Sequence, residues 1–235
     1  IILVEGSTFG KHQLVSRFMK GVFNLCPSLP RYTNTWDINV VLSWCKTVPL
    51  AGIKLSALTH KLTLLLALLT SQRVQTLQAI NIQNMHIDEK CITIYIDKLL
   101  KTSQPGHHLT PITLQAFEDV NLCVVQHMAV YLHRTAHLRS SDQLLLTTQK
   151  PHRPASRDTI SHWIKNCLQL AGIDIQRYSA HSTRSASSSA KQAAGMPIEF
   201  ILKSAGWTTT STFQKFYNKP ITKSHSVSLH DILVS

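Results

Sequence analysis

A mainly α-helical fold that holds one small antiparallel β-sheet, an α+β class, is what the 235-residue sequence predicts. Three observations carry it. Apolar residues recur at helical spacing over much of the chain, and after Phe117 they do so nearly to the end. Cys91-Ile92-Thr93-Ile94-Tyr95-Ile96 is β-branched and aromatic with no breaker inside, so it reads as a strand. The polar stretch 98–108, with Pro105-Gly106, then turns the chain towards a second short strand over 109–113.

Residues 10–25 set Leu14, Phe18, Val22 and Phe23 at helical spacing and end at Cys26-Pro27, after which 27–35 reads as a loop. Asp37 is placed to cap a short helix through Trp44. Pro49 and Gly52 break the chain, and a domain boundary is expected between 48 and 55. A piece of about fifty residues seldom folds alone, so 1–50 reads as the C-terminal part of a helical domain. The main domain is expected over 51–222, with a tail at 223–235. Within it, Ser56 opens an apolar helix to Leu69, and a short helix covers 71–79. Beyond the hairpin, helices are expected over 118–138, 157–170, 182–194, 197–205 and 209–217, with Pro197 tolerated in a first turn. The chain begins Ile-Ile-Leu-Val without Met, as a piece cut from a longer polyprotein would, so missing targeting signals carry little weight.

Composition narrows the function classes. Hydrophobic residues make up 43% of the chain, enough for a sizeable core, which excludes disorder throughout. Lysine and arginine total 24 against 12 acids, a formal charge of +12. Only 15% of residues are charged, so the imbalance comes from missing acids. Such a chain expects a polyanion. The five cysteines lie far apart with no CxxC pair, which fits free thiols in a reducing compartment and neither a zinc knuckle nor a disulfide scaffold. His133 and His137 are four apart, but no Glu or Cys completes a site around them, and no metal or cofactor is expected. The longest apolar run, 62–69, is too short to cross a bilayer, and no membrane partner is expected.

No GxSxG elbow or P-loop is present, and the acids are too scattered for a metal-dependent nuclease. The C-terminal third is more informative. His181-Ser182-Thr183-Arg184 puts His and Arg three apart, on one face if helical. Gly206-Trp207 follows a helix end, and Phe216-Tyr217 closes the next helix. Earlier, Arg73 opens a helix, and Lys101 lies in the β-hairpin loop. Each signal alone fits a surface charge, a phosphate clamp or core packing as well as an active site.

In order, this set resembles the catalytic domain of tyrosine recombinases, the phage-integrase family, over about residues 55–220. The wording Ala205-Gly206-Trp207-Thr208, Thr212-Phe213 and Phe216-Tyr217-Asn218-Lys219-Pro220 is similar to the recombinases of DIRS-like and Ngaro-like retrotransposons. So are Gly10-Lys11-His12, Val22-Phe23-Asn24, Pro30-Arg31-Tyr32-Thr33 and Thr35-Trp36-Asp37, which would end the group's DNA-clamping, core-binding domain. The resemblance implies that Arg73 is the first family arginine and Lys101 the hairpin lysine, with Lys98 its rival. It implies that His181 and Arg184 form the HxxR box, that Trp207 stands where many members have histidine, and that Tyr217 is the nucleophile. Tyr217 lies ten residues after Trp207, one more than is usual among phage members; at the usual offset stands Phe216, which has no hydroxyl. The Ser-Thr filling of the HxxR box also departs from the phage pattern.

The residue types suit that chemistry. Tyrosine, with a reference pKa of about 10, attacks a phosphodiester only beside a base or in a strongly positive site. Two arginines can grip non-bridging oxygens and stabilise charge that grows in the transition state. Lys101 could protonate the leaving 5′ hydroxyl, His181 could accept a proton or bind phosphate, and the Trp207 indole N–H could donate to the phosphate. Fixed cations would then replace a metal, and a 3′-phosphotyrosyl enzyme would keep the bond energy for rejoining. Arg73 and Arg184 are expected to open into one basic pocket within reach of the Tyr217 hydroxyl. The implied function is cleavage and rejoining of double-stranded DNA to integrate or excise a mobile element, by a homo-oligomer (a tetramer by family resemblance), in a nucleus. Alternatives are a non-catalytic DNA-binding module derived from such an enzyme and a type IB topoisomerase.

Overall fold

The computed structural model describes residues 3–4, 7–8, 12–26, 32–100, 103 and 109–222. They fall into two compact units, Ile1–Thr33 and Asn34–Ser235. In the smaller, β1 (Leu3–Val4) pairs antiparallel with β2 (Ser7–Thr8), and α1 (Gln13–Leu25) stops at Cys26, whose N–H reaches the Val22 carbonyl at 2.8 Å.

The larger unit opens with β3 (Thr35–Trp36) and α2 (Ile38–Thr47), which Asp37 caps by accepting from the Asn39 N–H at 2.9 Å. The division between units therefore falls ahead of the boundary expected near 50. Residues 35–47 pack with the C-terminal elements of the larger unit: β3 pairs in parallel with β7 (Ile221–Thr222), and the Trp36 indole donates to Ser182 Oγ at 2.9 Å. Val41 and Cys45 of α2 are fully buried.

The core is built around α3 (Leu55–Thr70), which packs against α5 (Val124–Thr135), α6 (Arg157–Leu170) and α7 (Ser182–Ala193). It buries Leu58, Leu62, Leu64, Leu65, Leu66 and Leu68, so it is apolar on nearly every side, as a central helix must be. Its buried threonines return their hydroxyls to the preceding turn: Thr59, Thr63 and Thr70 donate to the Leu55, Thr59 and Leu66 carbonyls at 2.7–2.8 Å. Each of these hydroxyls is thereby satisfied inside the core.

After α4 (Val74–Ala79), the three strands β4 (Met85–Ile87), β5 (Cys91–Ile94) and β6 (Ile112–Gln115) form an antiparallel sheet in that order. Ile92 faces Leu114 and Ile94 faces Ile112, all four buried, so one side of the sheet meets the core. The expected fold class is the observed one. The second strand lies at 112–115 rather than 109–113, and β4 has no clear local signal because three residues are too few for an alternating pattern to stand out.

Residues 118–123 are not helical. Asp119 Oδ1 accepts from the Asn121 N–H at 2.9 Å, an Asx turn that stops the chain from coiling until α5 begins at Val124. The last helices are α8 (Ile198–Ala205), preceded by Pro197, and α9 (Thr210–Phe216), capped by Thr209. Among the described residues, no helix is long and apolar enough to cross a membrane.

Candidate active site

Four elements converge on one place. Helix α3 ends at Ser71, whose left-handed backbone (φ 53°, ψ 22°) reverses the chain. Two residues later Arg73 is the N-cap of α4, half-buried at the rim of a cavity. His181 holds the same N-cap position on α7, and Arg184 lies in that helix's first turn. Every residue of 182–189 is buried. The serine-rich filling explains how: small side chains let α7 approach its neighbours closely, and their hydroxyls turn back on the backbone. Ser188 Oγ donates to the Arg184 carbonyl at 2.5 Å, and Ser187 Oγ donates to the Leu68 carbonyl of α3.

Gly206 places the tryptophan. With φ 66° it ends α8 in the left-handed conformation, its N–H bonding the Lys203 carbonyl while the Trp207 N–H bonds the Leu202 carbonyl at 2.9 Å. A Cβ at Gly206 would also lie 2.9 Å from Leu109 Cδ1. The chain thus turns sharply and seats Trp207, 7% exposed, on Ile201, Ala205 and Phe213. Tyr217 is the C-cap of α9. Ser189 of α7 fixes it, donating to the Tyr217 carbonyl at 2.9 Å and accepting from the Lys219 N–H at 3.0 Å.

These turns bring the side chains into contact. His181 Nε2 lies 3.3 Å from the Tyr217 hydroxyl. The Trp207 and Tyr217 rings are 4.4 Å apart, and the Arg184 guanidinium carbon sits 4.9 Å from the first ring centroid and 5.2 Å from the second. Both contacts are within cation–π range. Phe216, by contrast, is 55% exposed, so the tyrosine and not its neighbour faces the histidine.

Arg184 does not open into the basic pocket as expected. It is 1% exposed, roofed by the two aromatic rings. Arg73 does line an open cavity of about 490 Å³, together with His181, Gln75, Gln78, Ser156 and Arg157. One Arg184 nitrogen, Nη2, donates to the Ala205 carbonyl at 3.2 Å. Its Nε and Nη1, and the Trp207 indole nitrogen, are buried and reach no acceptor. These three donors are free to bond an acceptor that enters the site, and leaving a buried polar group unpaired costs about 1–3 kcal/mol.

The electrostatics agree. Desolvation, and then the Arg73 charge, lower the Arg184 pKa to about 10 against the opposing pull of the Tyr217 oxygen. Desolvation of its ring nitrogens, then the Arg184 and Arg73 charges, push His181 down to about 4, although the residue as a whole is exposed. The imidazole is therefore neutral at pH 7, with a lone pair on one nitrogen. Arg73 acts on both residues, so the three side chains share one field.

Of the six residues singled out in the sequence, His181, Arg184 and Trp207 all contact Tyr217, and Arg73 shares a cavity with His181. Lys101 lies outside the described residues, and its rival Lys98 is exposed after β5. Gln72, Lys191 and Ser204, which carry no motif of their own, knit this region together through their hydrogen bonds. The serine run at 185–189 was the available signal. Among the described residues no group of three or more His, Cys, Asp and Glu gathers as a metal site would.

No curated protein matches the sequence at a significant level. Solved structures share the fold. The XerA recombinase is 18% identical with a TM-score of 0.58, over 94% of this chain and 71% of that one. The Tn1549 transposon integrase in complex with transposon right end DNA is 12% identical with a TM-score of 0.57, over 88% and 66%. A lambda integrase tetramer bound to a Holliday junction is 13% identical with a TM-score of 0.51, over 92% and 60%. The chain thus spans less than two thirds of the length of the last two. The Phage integrase family profile matches residues 37–223, most of this chain and every residue of the site. The chain belongs to the phage integrase family.

Proposed function

We propose that the protein cleaves and rejoins double-stranded DNA as a tyrosine recombinase, with Tyr217 as nucleophile. The observation that carries this reading is the Tyr217 hydroxyl, 3.3 Å from the Nε2 of a histidine that is neutral at pH 7, above an arginine with two unpaired nitrogens. His181 takes the phenolic proton or contacts the phosphate. Arg73 and Arg184 bind the non-bridging oxygens, and the Trp207 N–H adds one donor. The tyrosine oxygen bonds to phosphorus as the 5′ oxygen leaves, and Lys101, or Lys98, protonates it. Because Arg184 is buried beneath Tyr217, the phosphate displaces the Tyr217 ring from the guanidinium as it enters, which puts the hydroxyl beside the reacting atom.

DNA binding is supported by the charge of +12 and by family membership. Assembly of several copies on DNA is drawn from neighbours such as the lambda integrase tetramer on a Holliday junction. Integration or excision of a mobile element rests on the retrotransposon-like wording at 205–220 and, more loosely, on the fold shared with a transposon integrase. A nuclear site of action follows from that reading, as does the assignment of the smaller unit, 1–33, to the end of a core-binding domain.

Incubation with a nicked suicide duplex, followed by denaturing gel analysis, tests the proposal. A protein–DNA adduct that survives denaturation and forms in the presence of chelator is expected. Salt-sensitive binding without an adduct would favour a non-catalytic DNA-binding module, and magnesium-dependent cutting a carboxylate nuclease.

A further inference from the structure

Seven residues beyond Arg184, two turns along the same stripe of α7, stands Lys191. Its ammonium makes three hydrogen bonds, one for each proton: to the Leu69 carbonyl at 2.8 Å, to Ser71 Oγ at 3.0 Å and to Ser204 Oγ at 3.4 Å. These partners belong to the end of α3, to the turn before Arg73, and to α8 just ahead of Gly206-Trp207. None is a carboxylate. Burial, and then the Arg184 charge, lower the Lys191 pKa to about 8, so the cation is held against a cost its three bonds offset.

What it holds is a strained turn. Ser71 is the one described non-glycine residue with positive φ, a conformation in which a Cβ crowds the following carbonyl oxygen. It persists because the surroundings over-determine it. Ser71 Oγ meets Ser187 Oγ at 2.7 Å besides Lys191, and the cation sits at the C-terminal, negative end of α3. The next residue, Gln72, repeats the pattern: Nε2 donates to the Ser204 carbonyl at 2.6 Å, and Oε1 accepts from the Thr76 hydroxyl at 3.1 Å. Gln72 and Ser71 are buried and lead directly into Arg73.

We infer that Lys191 is the positioning residue of the site: by tying the Ser71–Arg73 turn and α8 to the helix that carries Arg184, it fixes the distance between the two arginines and Trp207. This rests on the reading that Arg73 and Arg184 bind one phosphate. Lys191 touches neither the phosphate nor Tyr217. It acts through Arg73, and its removal leaves the charges of the site intact while loosening their spacing.

The test uses the full chain and a nicked suicide duplex. Lys191→Met, which keeps the length and removes the donors, should slow adduct formation at saturating DNA by roughly ten- to a hundredfold, because small misplacements of catalytic groups are that costly. Affinity should stay within about threefold, since the surface charges that bind the duplex remain. Lys191→Arg, which restores charge and donors, should recover most of the rate. Amide hydrogen exchange gives a readout that needs no turnover. In Lys191→Met, residues 70–76 and 204–207 should exchange about tenfold faster while α5 is unchanged. Wild-type rate in Lys191→Met, losses of rate and affinity in equal proportion, or unaltered exchange at the turn would each overturn the inference. A wild-type protein that forms no adduct would instead remove the recombinase reading, and the exchange result would still decide whether Lys191 holds the turn.

Discussion

Arg184 lies directly beneath Tyr217, its guanidinium carbon 5.2 Å from the ring centroid, so the proposed phosphate ligand and the proposed nucleophile occupy one stack. The ring shields the charge from water, and Ser189 holds the chain that carries the ring. Cation and phenol are thus brought together in the DNA-free chain. Removing either one should separate binding from chemistry.

Tyr217→Phe deletes only the hydroxyl and keeps the ring over Arg184. Adduct formation should vanish, while DNA affinity measured by gel shift stays within a few-fold of wild type. Phe216→Tyr added to that variant should not restore the adduct, because position 216 points to solvent and not to His181.

His181 should titrate far below an ordinary histidine. With a folded-state pKa of about 4 against about 6.5 unfolded, the unfolded chain binds more protons between those values, so this residue's contribution lowers stability as pH falls from 6.5 to 4 and is constant above that window. NMR of the DNA-free protein should find its midpoint near 4, with His181→Gln identifying the resonance, since His127 is also held at about 4. Arg73→Ala should raise the His181 midpoint by removing one of the charges that depress it.

Arg→Lys at 73 or 184 keeps charge but loses the fork. Each change should slow cleavage by roughly a hundred- to a thousandfold, about 2.7–4 kcal/mol, and weaken binding much less. On the proposal that both groups act on one phosphate, the double variant should be less than additive. Single-turnover rates at saturating DNA check this; fully additive losses would mean the two arginines serve separate phosphates.

Affinity for duplex DNA should fall steeply with salt. If about six phosphates are neutralised, the equilibrium constant should drop by roughly a thousandfold between 50 and 200 mM salt. A flat titration would contradict the electrostatic reading of the charge of +12.

Ser182→Ala should destabilise the larger unit by about 1–3 kcal/mol, read from urea unfolding, because it strands the Trp36 indole N–H in a buried site. Trp36→Phe in the same chain should cost less than the two single changes combined, since no donor is then left unpaired.

By itself the sequence determined most of the helices, because period and caps are local: Asp37 caps α2, and α6 runs over the expected 157–170. It also determined the chemistry available, as a matter of residue types and order. The local rules failed at Asp119, where an Asx turn outcompetes helix propensity, and at β3 and β7, two-residue strands whose pairing joins Thr35 to Ile221 and leaves no local pattern. Nor could periodicity say that Tyr217 rather than Phe216 faces His181, or that Arg184 is buried instead of open to solvent. Those facts were decided by tertiary structure alone: the left-handed turns at Ser71 and Gly206 and the small-residue face of α7 bring residues over a hundred positions apart into contact. Direction at a helix end depends on what the chain packs against, and that information lies elsewhere in the sequence.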